Sequence, residues 1–210
     1  MRAARFMIPP LPPVPENWGN PEARAEFFAL LPKPLVVLIA CDLAAYTPHG
    51  ALGLKALETV RLWLAGQAEE SDLRAIWEQI WLVILDEDYQ HSVSHRVALD
   101  AVWSAVTADA AYWANDISAP SILDRTALYT DWSTHYDRHR RRVVEIIQIA
   151  NEPSVRKALA LAARNSHARP LFWDAMLDAG YMPNDPGRKV PWRQRLARYW
   201  RRLFGKRSVR

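Results

Sequence analysis

Apolar residues that recur every three to four positions, in segments cut short by proline, constrain this chain more than any other feature. Leu52, Ala56, Leu57, Val60, Trp63 and Leu64 share one face of a helix, as do Leu73, Ile76, Trp77, Ile80, Trp81 and Ile84. The same period runs through Leu99, Val102, Trp103, Val106, Ala110 and Trp113 up to Ser118-Ala119-Pro120, and it predicts one continuous helix there. Leu128, Trp132, Val143, Ile146 and Ala150 outline a long helix ending at Asn151-Glu152-Pro153, and shorter helices follow near 154–165 and 170–179. No alternating apolar and polar run long enough for a strand occurs, and neither Asn-Gly nor Asp-Gly supplies a hairpin turn.

The expected fold is therefore all-α, a single bundle or set of stacked hairpins of about seven to eight helices. Asn20-Pro21 is a cap and first-turn pair that opens a helix through Leu31 before Pro32 and Pro34. Leu35 to Tyr46 reads as a short helix, apolar nearly all round and hence buried on most sides. Gly66 is placed to end the third helix, and a break falls near 89–94. Ahead of these lies Pro9-Pro10-Leu11-Pro12-Pro13-Val14-Pro15, in which proline fixes φ and removes donors. This segment reads as polyproline II that either lies along its own domain, the preferred reading, or fills an aromatic groove on a partner. Three regions follow: an extended arm over 1–19, a helical domain over 20–187 and a basic tail over 188–210.

Charge marks the tail. Ten of the chain's 27 Lys and Arg lie in 188–210 without a single Asp or Glu, so the other 187 residues hold 17 basic against 23 acidic side chains. If the tail is wound as a helix, Trp192, Leu196, Tyr199, Trp200, Leu203 and Phe204 fall within an arc of roughly 140°, and Arg195, Arg198, Arg201 and Arg202 lie opposite. Such a helix suits an acidic groove on a protein, an anionic membrane surface or another polyanion, or the outside of its own bundle. Arg138-His139-Arg140-Arg141-Arg142 is also basic. Asp137 and Glu145, each four residues from Arg141, mark that run as an ordinary solvated face.

Catalytic signatures are scarce. The chain contains no glycine-rich phosphate loop and no serine elbow, and Cys41 sits inside the apolar second helix as an inert thiol. Two histidine pairs at helical i, i+4 spacing, His91 with His95 and His135 with His139, place imidazoles on common faces. With Asp88 or Asp131 they form a candidate divalent-metal site able to activate water. The bland alternative is that these histidines bond to carbonyls or carboxylates at a helix margin. Ten tryptophans read chiefly as core packing.

Leu38-Ile39-Ala40-Cys41-Asp42-Leu43-Ala44, Ala56-Leu57-Glu58-Thr59-Val60-Arg61-Leu62-Trp63-Leu64-Ala65-Gly66 and Glu69-Glu70-Ser71-Asp72-Leu73-Arg74 together resemble the helical module of bacterial all-helical immunity proteins. The resemblance spans residues 38–74 and implies binding of a cognate toxin protein, with no catalytic residues to carry over. The leading expectation is a non-enzymatic protein that binds another protein, immunity-like or accessory, its tail supplying a contact. A metal-dependent helical enzyme and a peripheral protein anchored by its tail are the alternatives. One cysteine, no secretory leader and no span long enough for a bilayer point to the cytoplasm, at the inner membrane face if the tail binds lipid.

Overall fold

The computed structural model describes residues 8–47, 49–86, 93–118 and 132–184, and within them every regular element is helical. In chain order these are α1 (Pro21–Ala29), α2 (Lys33–Ala44), α3 (Ala51–Leu64), α4 (Glu70–Asp86), α5 (Val93–Val106), α6 (Ala110–Ser118), α7 (Trp132–Ala150), α8 (Pro153–Ala162) and α9 (Arg169–Asp178), with a 3-10 turn over Ser166–Ala168. The all-α expectation holds.

Local chemistry explains the boundaries. Asn20 Oδ1 accepts from the amides of Glu22 and Ala23 at 2.9 and 3.3 Å, satisfying donors that the first turn of α1 leaves open. Proline stands in the first turn of α1, α2, α8 and α9, where its missing amide costs nothing. Gly66 adopts φ +69° at the end of α3, and a Cβ there would collide with Pro170 Cγ, so both conformation and space demand glycine.

The continuous helix expected from Leu99 to Ser118 is instead two. The hydroxyl of Thr107 turns back to the carbonyl of Trp103 at 2.8 Å, and Asp109 Oδ1 accepts from the amide of Tyr112 at 3.2 Å. Side chains of this kind compete for backbone groups and restart a helix without disturbing the apolar period. Most of the break expected near 89–94 lies outside the described residues, which resume in α5 at Val93.

At the centre lies α2, with every residue from Pro34 to Ala44 buried. It packs against α3, α5, α6 and α7, while α5 also touches α3 and α4. Apolar character all round fits that central place. On one flank α1 lies on α6, and α8 and α9 pair on the other. The described part of the proline-rich arm lies along the domain: the amide of Leu11 donates to Asn151 Oδ1 at 3.0 Å, Arg140 Nε to the carbonyl of Pro15 at 2.8 Å and Arg156 to that of Ile8 at 2.8 Å. Trp18 is fully buried against Phe27 and Phe28. Between arm and bundle sits Arg24, buried, donating to the carbonyl of Trp18 at 2.6 Å and to Asn115 Oδ1 at 3.1 Å.

Candidate functional site

Four polar or aromatic groupings stand out, and each is built by the packing just described. The first begins on α4. Leu73, Ile76 and Ile80 bury its inner face, yet the last turns read Ile80-Trp81-Leu82-Val83-Ile84-Leu85, too apolar for one face to absorb. Trp81 lies about 100° around the helix from Ile80 and therefore leaves the core. It is 42% exposed, and Leu82 and Leu85 beside it are 67% and 66% exposed. The reading of the tryptophans as core thus fails at Trp81.

This exposed edge is not loose. Trp81 stacks on Trp77 at 6.2 Å between ring centroids, Trp77 meets Trp103 of α5 edge-on at 5.3 Å, and Trp103 stacks on Trp113 of α6 at 5.5 Å. Tyr112 closes the series edge-on at 4.9 Å and is itself 56% exposed. Each such pair contributes about 0.5–1.5 kcal/mol beyond burial, so the ladder fixes Trp81 in place. Glu78, exposed one turn before Leu82, borders the patch, and α4 ends at Asp86. The last turn of α4 has no basic residue to offset its negative dipole end.

The second grouping is a buried ion pair. Asp42, the one charged residue inside the apolar stretch of α2, accepts from Arg142 Nε, from the Tyr181 hydroxyl at 2.9 Å and from the Asn184 amide at 2.7 Å. Arg142 also bonds Glu145 at 2.6 Å and the carbonyl of Met182, and its guanidinium lies over the Tyr181 ring at 5.3 Å. Burial alone would lower the Arg142 pKa; the hydrogen bond and charge of Asp42 outweigh it and hold the guanidinium ionised. Tyr181 is pushed well above its ordinary value, by burial first and by Asp42 next.

Consequently the basic run of α7 is not one solvated face. Arg142 points inward to Asp42, Arg140 holds the arm, and Arg141 Nε donates to the carbonyl of Asp137 at 3.1 Å. Helical phase explains the split: Arg142 follows His139 by three positions and precedes Ile146 by four, on the buried side of α7. A lone carboxylate in an otherwise apolar helix was the sequence signal for this pair.

The third grouping is carboxyl on carboxyl. Asp100 of α5 is 6% exposed and shares a hydrogen bond with Asp116 of α6. Burial, then the charge of Asp116, pushes the Asp100 carboxyl up to about 8, against the opposing charge of Arg96. Asp116 is also raised by burial, but the bond from Asp100 works the other way. One proton is thus held on Asp100 and donated to Asp116 near neutral pH.

The histidines form the fourth. His139 is buried and stacks on Tyr46, with centroids 5.4 Å apart and planes 30° apart. His95 is half-buried in the first turn of α5. The backbone of His135 lies in the first turn of α7, and its side chain, like Asp88, His91 and Asp131, is outside the described set. Among the described residues no group of three His, Cys, Asp or Glu is placed to hold a metal ion. Cys41 is buried, its thiol 3.5 Å from the Leu57 carbonyl and pushed up to about 11 chiefly by burial, which keeps it protonated and unreactive. The tail residues Trp192, Arg195, Leu196, Arg198, Trp200, Arg201, Arg202, Leu203 and Phe204 lie outside the described residues. No described helix is long and apolar enough to cross a membrane.

No family model, curated protein or solved structure matches the chain. Function must be argued from the residues themselves.

Proposed function

We propose that this protein acts by binding another protein, with the exposed end of α4 at the centre of the contact. The observation that carries this reading is Trp81, two-fifths exposed yet held by the stack on Trp77 and flanked by two largely exposed leucines. Tryptophan anchors dominate protein interfaces because they offer a large contact area for little ordering entropy, and here the ladder has already restrained the ring. The buried pair Asp42 and Arg142 instead fastens α2 to α7.

Three side chains cannot make a whole interface, which typically covers roughly 800 Å² per partner. They are suited to its dry centre, with the exposed Glu78 on the rim. An immunity-like or accessory role is the form of protein binding that the resemblance over residues 38–74 implies. The test is affinity capture of the full chain from its native cells beside the Leu82→Lys plus Leu85→Lys variant. The proposal expects a stoichiometric partner on the wild type that the variant loses. A partner held equally by both, or none on either, overturns it.

A further inference from the structure

We infer that residues 180–184 form a releasable strap, which leaves the bundle as one unit while the helices stay packed, and that the side chain of Asp42 is its catch. The inference concerns the seam between α2, α3 and α7 and is independent of the exposed end of α4.

The strap begins where α9 ends. Gly180 adopts φ +98°, and the amide of Tyr181 donates back to the carbonyl of Met176 at 2.9 Å, a glycine stop that turns the chain away from the helix and supplies a hinge. Beyond that turn the polar links to the body converge. The Tyr181 hydroxyl and the Asn184 amide both donate to Asp42 Oδ1, at 2.9 and 2.7 Å, and Asn184 Nδ2 donates to the Asp42 carbonyl at 3.4 Å. Arg142, bonded to Asp42 Oδ2, also donates to the Met182 carbonyl. One further link, from Arg61 of α3 to the Asn184 carbonyl, stands apart from the carboxylate. Groups that share one acceptor hold or release together, since water admitted at one bond reaches the rest.

Apolar burial adds little to this catch. Tyr181 is the one buried side chain of the strap, its ring edge-on to Trp173 at 6.1 Å, whereas Met182 is exposed and Pro183 and Asn184 are half-buried. The helices beneath rest instead on fully buried leucine, isoleucine and valine. Opening the strap exposes far less apolar surface than unfolding the bundle, and water that reaches Asp42 and Arg142 restores hydration that burial withheld, offsetting part of the bonds lost. Segments with this balance open below the global free energy. Release would bare the side of α2 that carries Cys41 and Asp42. With the strap closed Cys41 is buried, and Arg61, which holds Asn184, lies against its thiol. The chain's single cysteine therefore reports the position of the strap.

N-ethylmaleimide labelling of Cys41 in the full chain, at urea concentrations below the unfolding transition, tests this. Wild type is compared with Asp42→Asn and Tyr181→Phe, which weaken the catch, and with Ile80→Ala, which opens a cavity on α4, a helix packed chiefly against α3 and α5. Wild-type labelling is expected to depend on urea less than about one-third as steeply as global unfolding, because only the strap's surface is exposed. Without urea, Asp42→Asn and Tyr181→Phe should each label at least about tenfold faster at the same shallow slope, and Ile80→Ala should stay within about twofold of wild type. Tyr181→Phe, which keeps both charges of the pair, decides the matter if Asp42→Asn does not fold. Wild-type labelling with the full urea dependence of global unfolding overturns the inference. So does an unchanged rate in Tyr181→Phe, or acceleration by Ile80→Ala that matches it.

Discussion

Asp100→Asn should change how this protein's stability responds to pH, and the size of the change follows from one proton. In the unfolded chain Asp100 ionises near pH 4. In the folded protein burial and Asp116 hold its proton until about pH 8. A group whose folded pKa is raised contributes stability that is complete below the unfolded pKa and is lost as pH rises through the folded value. Between about pH 5 and 7 the folded state therefore binds one proton more than the unfolded state, and stability falls by about 1.4 kcal/mol per pH unit from this group. The amide introduced by the substitution carries no ionisable proton, yet it can still donate to Asp116. Urea unfolding of wild type and variant at pH 5, 6 and 7 reads the difference, because the two proteins differ only at the Asp100–Asp116 pair. The variant should gain about 2.7 kcal/mol on the wild type between pH 5 and 7, roughly 5–10 °C in melting temperature. Parallel pH profiles, or a variant that loses ground as pH rises, would refute the shared-proton account.

Other substitutions probe the remaining joints. Arg142→Met strands the carboxylate of Asp42 with only the Tyr181 hydroxyl and the Asn184 amide, and should cost about 2–4 kcal/mol in chemical denaturation, partly recovered when Asp42→Asn is added. Tyr181→Phe removes one donor to a buried charge and should cost about 1.5–3 kcal/mol by the same assay. Gly66→Ala should lower the melting temperature, since φ +69° and the collision with Pro170 Cγ together imply a cost of at least about 1–2 kcal/mol. Leu82→Lys plus Leu85→Lys should leave urea stability within about 0.5 kcal/mol of wild type, because both side chains already face water.

Helical periodicity made most of the fold legible, because apolar spacing and capping chemistry act within a turn or two of the chain. Asn20 with Pro21, and Gly66, end or begin helices where the sequence places them. The break at Thr107–Asp109 escaped because the apolar period continues straight through it; only the side-chain bonds of Thr107 and Asp109 record it. Long-range pairing was the harder part. Asp42 and Arg142 are a hundred positions apart, and although helical phase turns Arg142 inward while Arg141 stays in water, nothing local names its partner. Asp100 and Asp116 likewise look like ordinary surface acids until α5 and α6 pack face to face. The exposed edge at Trp81 was hidden by its neighbours. In a run of six apolar residues every position reads as core, and only the direction from which α5 approaches decides which side stays bare.

The central claim is that the bare end of α4 is a contact surface, and the most direct measurement is the dissociation constant for the captured partner. It should be determined for wild type, for Leu82→Lys plus Leu85→Lys, and for Leu30→Lys plus Leu171→Lys as a similarly exposed control pair at the end of α1 and in α9. The account predicts at least tenfold weaker binding from the α4 pair, about 1.4 kcal/mol, and no change from the control. Equal constants for all three proteins, or equal weakening by both pairs, would contradict it.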